Sequence, residues 1–555
     1  MTRPISTWRA VARGPFIGQR VANARAVWLT ARRHSSTFAA QWSPKPEVGD
    51  QVFLAMSGGV DSSVMALLLS QQAASVATRG SIALQPIYMR NWSALEESEE
   101  FEPGSGGAAG CEWQQEWESV QAVCSILKLP EPRLLDLSQQ YWTSVFAPSL
   151  DEWQSGRTPN PDVLCNREVK FGALMDQVIP IDQRETWISP SQGKFWLATG
   201  HYAKVFRPTP GDEPQLHRSI DRSKDQSYFL SSVPSAALRH ALFPLASMKK
   251  SQVRRVAAEF GLPSAERKES MGLCFVGQRG KGQPRGVRKH ASFSNEEPPQ
   301  NSIKSQQSQA QTFGDWLLGY LAPSSPYTLP GPIVSALDGV VLGHHKGLHT
   351  LTIGQGARVS GQQQKWFVAA KHLQKPASVQ DDGAVEAVAL VVPGNDHPLL
   401  TCVRVQVPLE SFQWVSESGA PAALHKNCDR SESNTRSSEA GVSLSAQVRH
   451  RAPETACRVR LLRRHSRSGN GVGVSSVPSC ETLSISFDEG HRPNAICPGQ
   501  VLALYDGQRC LGSGVIPDLP GAVMTLGQKQ SGNHDATRSP MISSCDYKRG
   551  HLSSA

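Results

Sequence analysis

The feature that most restricts this chain is a short apolar run, Gln51-Val52-Phe53-Leu54-Ala55-Met56, that ends directly on Ser57-Gly58-Gly59-Val60-Asp61-Ser62-Ser63. An apolar run stopped by a glycine pair predicts a buried strand. Behind the loop, residues 61–72 have helical spacing, with Val64, Leu67 and Leu68 on one face. Glycines open backbone conformations closed to other residues, so successive N–H groups can converge on phosphate oxygens. The helix that follows aims the positive end of its dipole at the same point. Ser57, Ser62 and Ser63 add hydroxyls, and Asp61 is placed either to orient a magnesium ion or to cap the helix. The string is not the Gly-x-x-x-x-Gly-Lys-Ser/Thr loop, since no lysine reaches the phosphates.

The pattern around the loop predicts the sheet that carries it. Residues 82–89 and 195–199 read as further strands, and 119–127 as a helix after the acidic, Gly-rich stretch 96–110. Such alternation predicts an α/β fold with a doubly wound parallel sheet. Residues 251–260 predict an amphipathic helix, with Val253, Val256, Ala257 and Phe260 as its buried stripe and Gly261 as its stop. The nearby Lys249, Lys250, Arg254 and Arg255 suit either an RNA-facing surface or a solvated one. From 278 to 311 the chain turns to Gly, Gln, Ser, Pro and Lys, a low-complexity insertion without a core-forming pattern. Compact sequence resumes at 313–318, short strands are expected over 339–356, and 384–516 reads as all-β. Polar inserts near 425–443 and 464–479 interrupt that region, and the tail after 526 is expected to be disordered.

At 555 residues the chain is too long for one ordinary domain. No run of about 18 apolar residues occurs, which argues against a membrane span. The net charge of +9 suits phosphate backbones, but it also follows from a basic targeting peptide. Residues 1–46 contain no acid and carry Arg3, Arg9, Arg13, Arg20, Arg25, Arg32 and Arg33. Apolar Val11, Phe16, Val21 and Trp28 are interleaved with them. This predicts a mitochondrial presequence, with an RNA-binding basic arm as the alternative. The 11 cysteines include no Cys-x-x-Cys pair. That argues against a zinc ribbon, a thioredoxin-like site or a secreted disulfide framework, and for a reducing compartment.

Two cysteines stand in strings of their own. In Gly156-Arg157-Thr158-Pro159-Asn160-Pro161-Asp162-Val163-Leu164-Cys165-Asn166, two prolines stiffen the loop and set Asp162 and Cys165 three residues apart at a helix start. A thiol there is either an activated nucleophile or inert core, and Asp162 could shuttle a proton. Cys274 lies in Ser270-Met271-Gly272-Leu273-Cys274-Phe275-Val276-Gly277, an ordinarily structural setting. The loop at 57–63 is similar to the pyrophosphatase (PP) loop of enzymes that cleave ATP between the α- and β-phosphates. Alongside these strings stand Ala198-Thr199-Gly200-His201-Tyr202 and Asp221-Arg222-Ser223-Lys224-Asp225-Gln226-Ser227-Tyr228-Phe229-Leu230. His345-Lys346-Gly347-Leu348-His349-Thr350-Leu351-Thr352-Ile353-Gly354-Gln355 and Gly394-Asn395-Asp396-His397-Pro398-Leu399 complete the set. Together they resemble the tRNA-specific 2-thiouridylase family from about residue 50 to 517. With the presequence, the chain looks like its mitochondrial member.

The resemblance implies a tRNA-uridine 2-sulfurtransferase that replaces the 2-oxygen of the wobble uridine by sulfur, using ATP to adenylate that oxygen. By the same match Ala55, Met56, Ser57, Gly58, Gly59, Val60, Asp61, Ser62, Met89 and Gly200 contact ATP, with Mg2+ near Asp61. Cys274 would carry the persulfide, Cys165 would attack it and leave a transient Cys165–Cys274 disulfide, and Asp162 would be the acid/base. Direct attack of the persulfide on C2 is the other open route. Asn160, Pro161 and Asp162 would meet the extruded base, and Lys224, Asp225, Gln226, Arg449 and His450 would contact tRNA. Expected partners are tRNAs for Lys, Glu and Gln and a cysteine desulfurase or sulfur-relay donor, in the mitochondrial matrix.

The implied organisation is a presequence over 1–46, an ATP-binding catalytic PP-loop domain over 47–277 and a disordered insertion over 278–311. A small central domain over 312–372, a β-barrel-like tRNA-binding domain over 384–517 and a disordered tail over 526–555 follow. Met271 departs from the small polar residue common in the family, and the insertion after Cys274 is expected to leave that loop mobile. A PP-loop ligase or amidotransferase of the argininosuccinate or GMP synthetase type would need neither cysteine string. An iron–sulfur thiolation enzyme would need Cys-x-x-Cys pairs, and an inactive tRNA-binding homologue would need no reactive residues.

Overall fold

Val52, Leu54 and Met56 line one face of strand β1 (Gln51–Met56) and Phe53 the other, and all four are buried. A strand buried on both faces is what a parallel sheet between helical layers requires. The computed structural model describes residues 45–92, 112–182, 193–209, 211–267, 313–374, 385–426, 441–463, 480–488 and 490–518. Residues 1–44, the Cys274 motif, the insertion at 278–311 and the tail lie outside them.

After the loop, helix α1 (Val60–Val76) leads to β2 (Ala83–Arg90), α2 (Glu112–Leu127) and β3 (Arg133–Asp136). Strand β4 (Phe195–Ala198) follows, then an antiparallel hairpin of β5 (Ala203–Phe206) and β6 (Gln215–Arg218), then β7 (Ala241–Leu242). The first sheet runs β3-β2-β1-β4-β7, all parallel, as expected for a doubly wound α/β domain. Helix α1 is buried on two sides. Met65, Ala66 and Leu69 pack on the sheet, while Val60, Val64 and Leu67 pack on Val253, Val256 and Ala257 of α3 (Lys250–Glu259). The single apolar face read from the sequence is therefore too narrow; a helix covered on both sides is apolar nearly all round.

Buried Asp50 staples the start of the sheet. Its carboxylate accepts from Trp196 Nε1 at 2.7 Å, Lys194 N at 2.8 Å and Glu47 N at 2.8 Å. Trp196 itself is nearly inaccessible, so truncating it to Ala costs about 3–5 kcal/mol.

The central region forms a second sheet in the order β10-β11-β8-β9, from β8 (Gly331–Ser335), β9 (Val341–His345), β10 (Trp366–Gln374) and β11 (Glu386–Pro393). The C-terminal region supplies β12 (Arg404–Pro408), β13 (Phe412–Trp414), β14 (Val442–Gln447), β15 (Thr455–Arg463), β16 (Cys480–Phe487), β17 (Val501–Asp506) and β18 (Arg509–Val515). Its sheet, β12-β16-β15-β14-β17-β18, does not stop at its own last strand. The hairpin β6-β5 from the first domain extends it, with Arg509 opposite His217 and Cys510 opposite Leu216. No described helix is long and apolar enough to cross a membrane.

Candidate active site

Parallel strands present their carboxyl ends on one edge, and ligands bind there where the strand order reverses. In this sheet the reversal lies between β1 and β4, so Ser57-Gly58-Gly59 and Gly200 flank one crevice. Gly58 has φ +69°, and a Cβ on it would sit 2.7 Å from Glu116 O. Only glycine fits the turn. Ser119 Oγ and Arg267 Nη1 hold the Gly58 carbonyl at 3.0 and 3.1 Å. Ser62 Oγ donates to Gly59 O at 3.1 Å and accepts from Ser57 N at 3.2 Å. Ser63 is buried and donates to the same Gly59 carbonyl at 2.8 Å, so its hydroxyl braces the loop. This turn, with Ser57 exposed at the N-terminus of a 17-residue helix, fits a phosphate chain.

Gly200 seals the other wall. A Cβ there would lie 2.9 Å from Ser62 N and 3.0 Å from Asp61 C, so β4 and α1 meet backbone to backbone. Ala55, Met56 and Val60 lie at the β1 and α1 ends of the loop, and half-buried Met89 lies on β2.

The Asp61 carboxylate, in the first turn of α1, accepts from Lys250 Nζ at 2.6 and 2.8 Å and from Tyr202 Oη at 2.7 Å. Among the described residues no group of three His, Cys, Asp or Glu gathers to hold a metal ion. Lys250 arrives from 189 positions further on, so a lysine does reach the loop region after all. Nor does Lys250 belong to an RNA-facing or solvated surface; Arg255 does face solvent, pairing with Glu259 one turn on.

The second site starts one residue after Gly200. His201 is buried, with Nδ1 2.7 Å from Thr199 Oγ1 and its ring 6.0 Å from that of Phe171. Burial and the neighbouring Lys170 keep its pKa well below the ordinary histidine value, so it is neutral. Phe171 and Lys170 belong to a nine-residue π-helical stretch, Cys165–Ala173, continuous with the helical turn Pro161–Leu164. Such wide turns recur at functional sites. Cys165 opens that stretch as a buried thiol, while Cys274, its expected partner in a transient disulfide, lies outside the described residues. Burial pushes the Asp162 carboxyl up to about 6, against the opposing pull of Lys170. A carboxyl near that value exchanges protons at neutral pH.

The loop entering this turn is clamped from both later domains. Lys371 Nζ donates to Gly156 O at 3.0 Å and Ser325 Oγ to Gln154 O at 2.9 Å. From the other side Thr158 N donates to Pro498 O at 2.9 Å, and Gln500 Nε2 to Thr158 O and Pro159 O at 2.8 and 3.1 Å. Gln500 and Lys371 carried no sequence signal, because each acts on a segment hundreds of residues away.

Two of the three sets of residues expected to meet tRNA converge on Tyr228. The Asn160 side chain bonds its hydroxyl, which itself donates to Val501 O at 2.8 Å. His450 lies over Phe229 with ring centroids 4.3 Å apart and reaches Tyr228 at 6.3 Å. Arg449 is close enough to favour the Tyr228 phenolate, though burial still raises that hydroxyl's pKa. Within Lys224-Asp225-Gln226 the roles divide. Asp225 is buried, accepting from Ser219 N at 2.8 Å, Ser227 Oγ at 2.7 Å and Arg218 Nη1 at 3.1 Å. Gln226 pairs with the Tyr202 backbone through its own N–H at 2.8 Å and its Oε1 at 2.9 Å. Those two side chains are fasteners; Lys224 is half-buried, and its charge acts on His450, helping to lower that imidazole's pKa.

Comparison with known proteins bears on the whole arrangement. Residues 50–278 match the tRNA methyl transferase HUP domain family, 317–377 the tRNA methyl transferase PRC-barrel domain and 427–516 the aminomethyltransferase beta-barrel domain. The protein named tRNA-specific 2-thiouridylase MnmA from Cupriavidus necator is 32% identical over 475 residues, covering 84% of this chain and 99% of that protein. The protein of the same name from Burkholderia cenocepacia is 32% identical over 490 residues, covering 87% and 97%. The one from Ralstonia pickettii is 33% identical over 480 residues, covering 85% and 98%. Coverage of nearly the full length of each relative means that the later domains are shared as well as the nucleotide-binding one. The chain belongs to the MnmA family of tRNA-specific 2-thiouridylases.

Proposed function

We propose that this enzyme replaces the C2 oxygen of the wobble uridine of mitochondrial tRNAs by sulfur, spending ATP to make that oxygen a leaving group. The observation that carries the reading is the junction at Gly200-His201. Gly200 closes on the phosphate loop, and His201 packs on the π-helical stretch that Cys165 begins. A phosphate site and a thiol site one residue apart suit a base activated at one and thiolated at the other. The family names of the relatives point the same way.

In this reading Ser57 to Gly59 and the α1 N-terminus hold the ATP phosphates, and Mg2+ arrives with them. The uridine O2 bonds to the α-phosphorus and pyrophosphate leaves, while Asp162, ionised above pH about 6, takes the proton released. Sulfur waits as a persulfide on Cys274, delivered by a cysteine desulfurase or relay protein. The Cys165 thiolate attacks the Cys274 Sγ, the persulfide S–S bond breaks, and hydrosulfide leaves. Hydrosulfide then adds to C2 and AMP departs, and a dithiol reductant reopens the Cys165–Cys274 disulfide. In the alternative order the outer persulfide sulfur attacks C2 first and Cys165 cleaves the S–S bond afterwards. Asn160 and Pro161 line the base, with Lys224, Arg449 and His450 on the RNA, and tRNAs for Lys, Glu and Gln are the expected substrates. The arginine-rich, acid-free segment over residues 1–46 supports a matrix location.

One assay tests the chemistry: purified protein, ATP, a persulfide donor and unmodified tRNA with a wobble uridine. The wild type makes 2-thiouridine, and Cys165→Ala and Cys274→Ala do not while still binding tRNA. Full activity in both variants sinks the mechanism. A fluorescent reporter carrying residues 1–46 enters mitochondria; a cytosolic reporter removes the location.

A further inference from the structure

We propose that Lys250 is the phosphate-binding cation of this loop, delivering its ammonium to the β- and γ-phosphate oxygens of ATP; the proposal rests on the ATP-dependent reading above. A triphosphate brings several negative charges to a loop whose own string, Ser57 to Ser63, contains no basic residue. Loop amides and a helix dipole supply partial charges only. Lys250 brings a full charge to the same helix turn. Its Nζ lies 2.6 and 2.8 Å from the Asp61 carboxylate, on the second residue of α1, and its side chain is only 12% exposed. The ammonium has three donors on a flexible stem, so it can keep one on Asp61 and turn the others to a phosphate.

The surroundings hold that side chain at the loop rather than in solvent. Lys250 is the first residue of α3, and its backbone N–H donates to Asp221 Oδ2 at 2.8 Å. The ring of Tyr202 lies 5.7 Å from Nζ, while its hydroxyl bonds Asp61. Asp221 and Tyr202 are thus positioning residues for the ammonium. Arg267, from the turn after α3, performs a different task by fixing the Gly58 carbonyl.

The test compares two nucleotides in equilibrium binding to the full-length protein. ATP presents β- and γ-phosphates and AMP does not. In Lys250→Met the affinity for ATP falls by about 10- to 100-fold, the range of a lost charge-assisted hydrogen bond, and that for AMP stays within about twofold. Lys250→Arg restores part of the ATP affinity. A parallel fall for ATP and AMP would mean that Lys250 only props Asp61, and overturns the proposal; so does unchanged ATP affinity. A second measurement uses the wild type, so it does not depend on a variant folding. 5′-(p-Fluorosulfonylbenzoyl)adenosine carries its electrophile where the outer phosphates lie, and it labels Lys250 unless ATP is present. Labelling that spares Lys250 and modifies other residues also overturns it. If the wild type binds both nucleotides and thiolates tRNA while Lys250 proves indifferent, only this inference fails. If the wild type binds neither nucleotide, the ATP-dependent function fails with it.

Discussion

Gly200→Ala is the sharpest perturbation of the phosphate site, because it adds one methyl group between two backbones. The new Cβ would stand 2.9 Å from Ser62 N, 3.0 Å from Asp61 C and 3.2 Å from Asp61 Cβ, where ordinary contact needs 3.4–4 Å. None of those atoms is the end of a flexible side chain. The first turn of α1 or the end of β4 must therefore retreat by about 0.5–1 Å. Overpacking of that size costs roughly 1–3 kcal/mol of stability, which leaves the protein folded. Its effect on chemistry is larger, since a displacement near 1 Å costs on the order of 100-fold when reacting groups must align. We expect tRNA-dependent pyrophosphate release at saturating ATP to drop by about 10- to 100-fold, with a modest fall in melting temperature. Gly343→Ala in β9 is the control, because an added Cβ there meets nothing within 4 Å. Wild-type pyrophosphate release in Gly200→Ala would refute the argument that the β4 end and the loop form one wall.

Four further outcomes follow from the site, its clamps and the core. Single-turnover thiolation should rise with pH through a midpoint near 6 as Asp162 ionises, and Lys170→Met, which removes the cation holding that value down, should move the midpoint upward; an unmoved midpoint excludes Asp162 as the titrating base. The same raised value means the folded chain binds more protons than the unfolded one between pH 3.8 and about 6, so this residue's contribution to stability falls as pH rises through that window. Lys371 has the opposite linkage: burial lowers it from 10.5 to about 8, so unfolding takes up a proton between those values, stability gains with rising pH there, and urea titrations of Lys371→Met should lack that gain. Iodoacetamide at pH 8 should spare Cys124, Cys457 and Cys510, whose thiols burial raises to about 11, 12 and 12; rapid loss of any of them in a peptide map would contradict their packing.

Local order was legible where it is written locally. The strand β1, its glycine turn and α1 occupy consecutive residues, so apolar spacing and backbone freedom identify them with no tertiary knowledge. The strand and helix alternation likewise gives the parallel sheet. What sequence spacing does not carry is the meeting of remote segments. Lys250 sits on a helix whose basic residues look alike in one dimension, yet Arg255 faces water and Lys250 faces Asp61. The resemblance puts Asp225 with Lys224 and Gln226 on the tRNA; Arg218, brought beside it by β6, makes it a buried anchor. The four-residue strands β5 and β6 are too short to show a periodicity, and their pairing with β18 crosses most of the chain.

That pairing bears on how the protein can be divided. A two-strand excursion from the nucleotide-binding half completes the sheet of the last domain, so the family boundaries in sequence are not seams in the molecule. A fragment ending before the central domain would carry a short hairpin with no neighbour, and a fragment beginning after it would bare β18 at Arg509 and Cys510, the stretch that β13 does not cover. Exposed edges recruit other chains. Gene fusions, domain exchanges and split-protein designs on this scaffold should therefore move 203–218 together with the C-terminal strands, treating as one heritable piece what the linear order separates by nearly 300 residues.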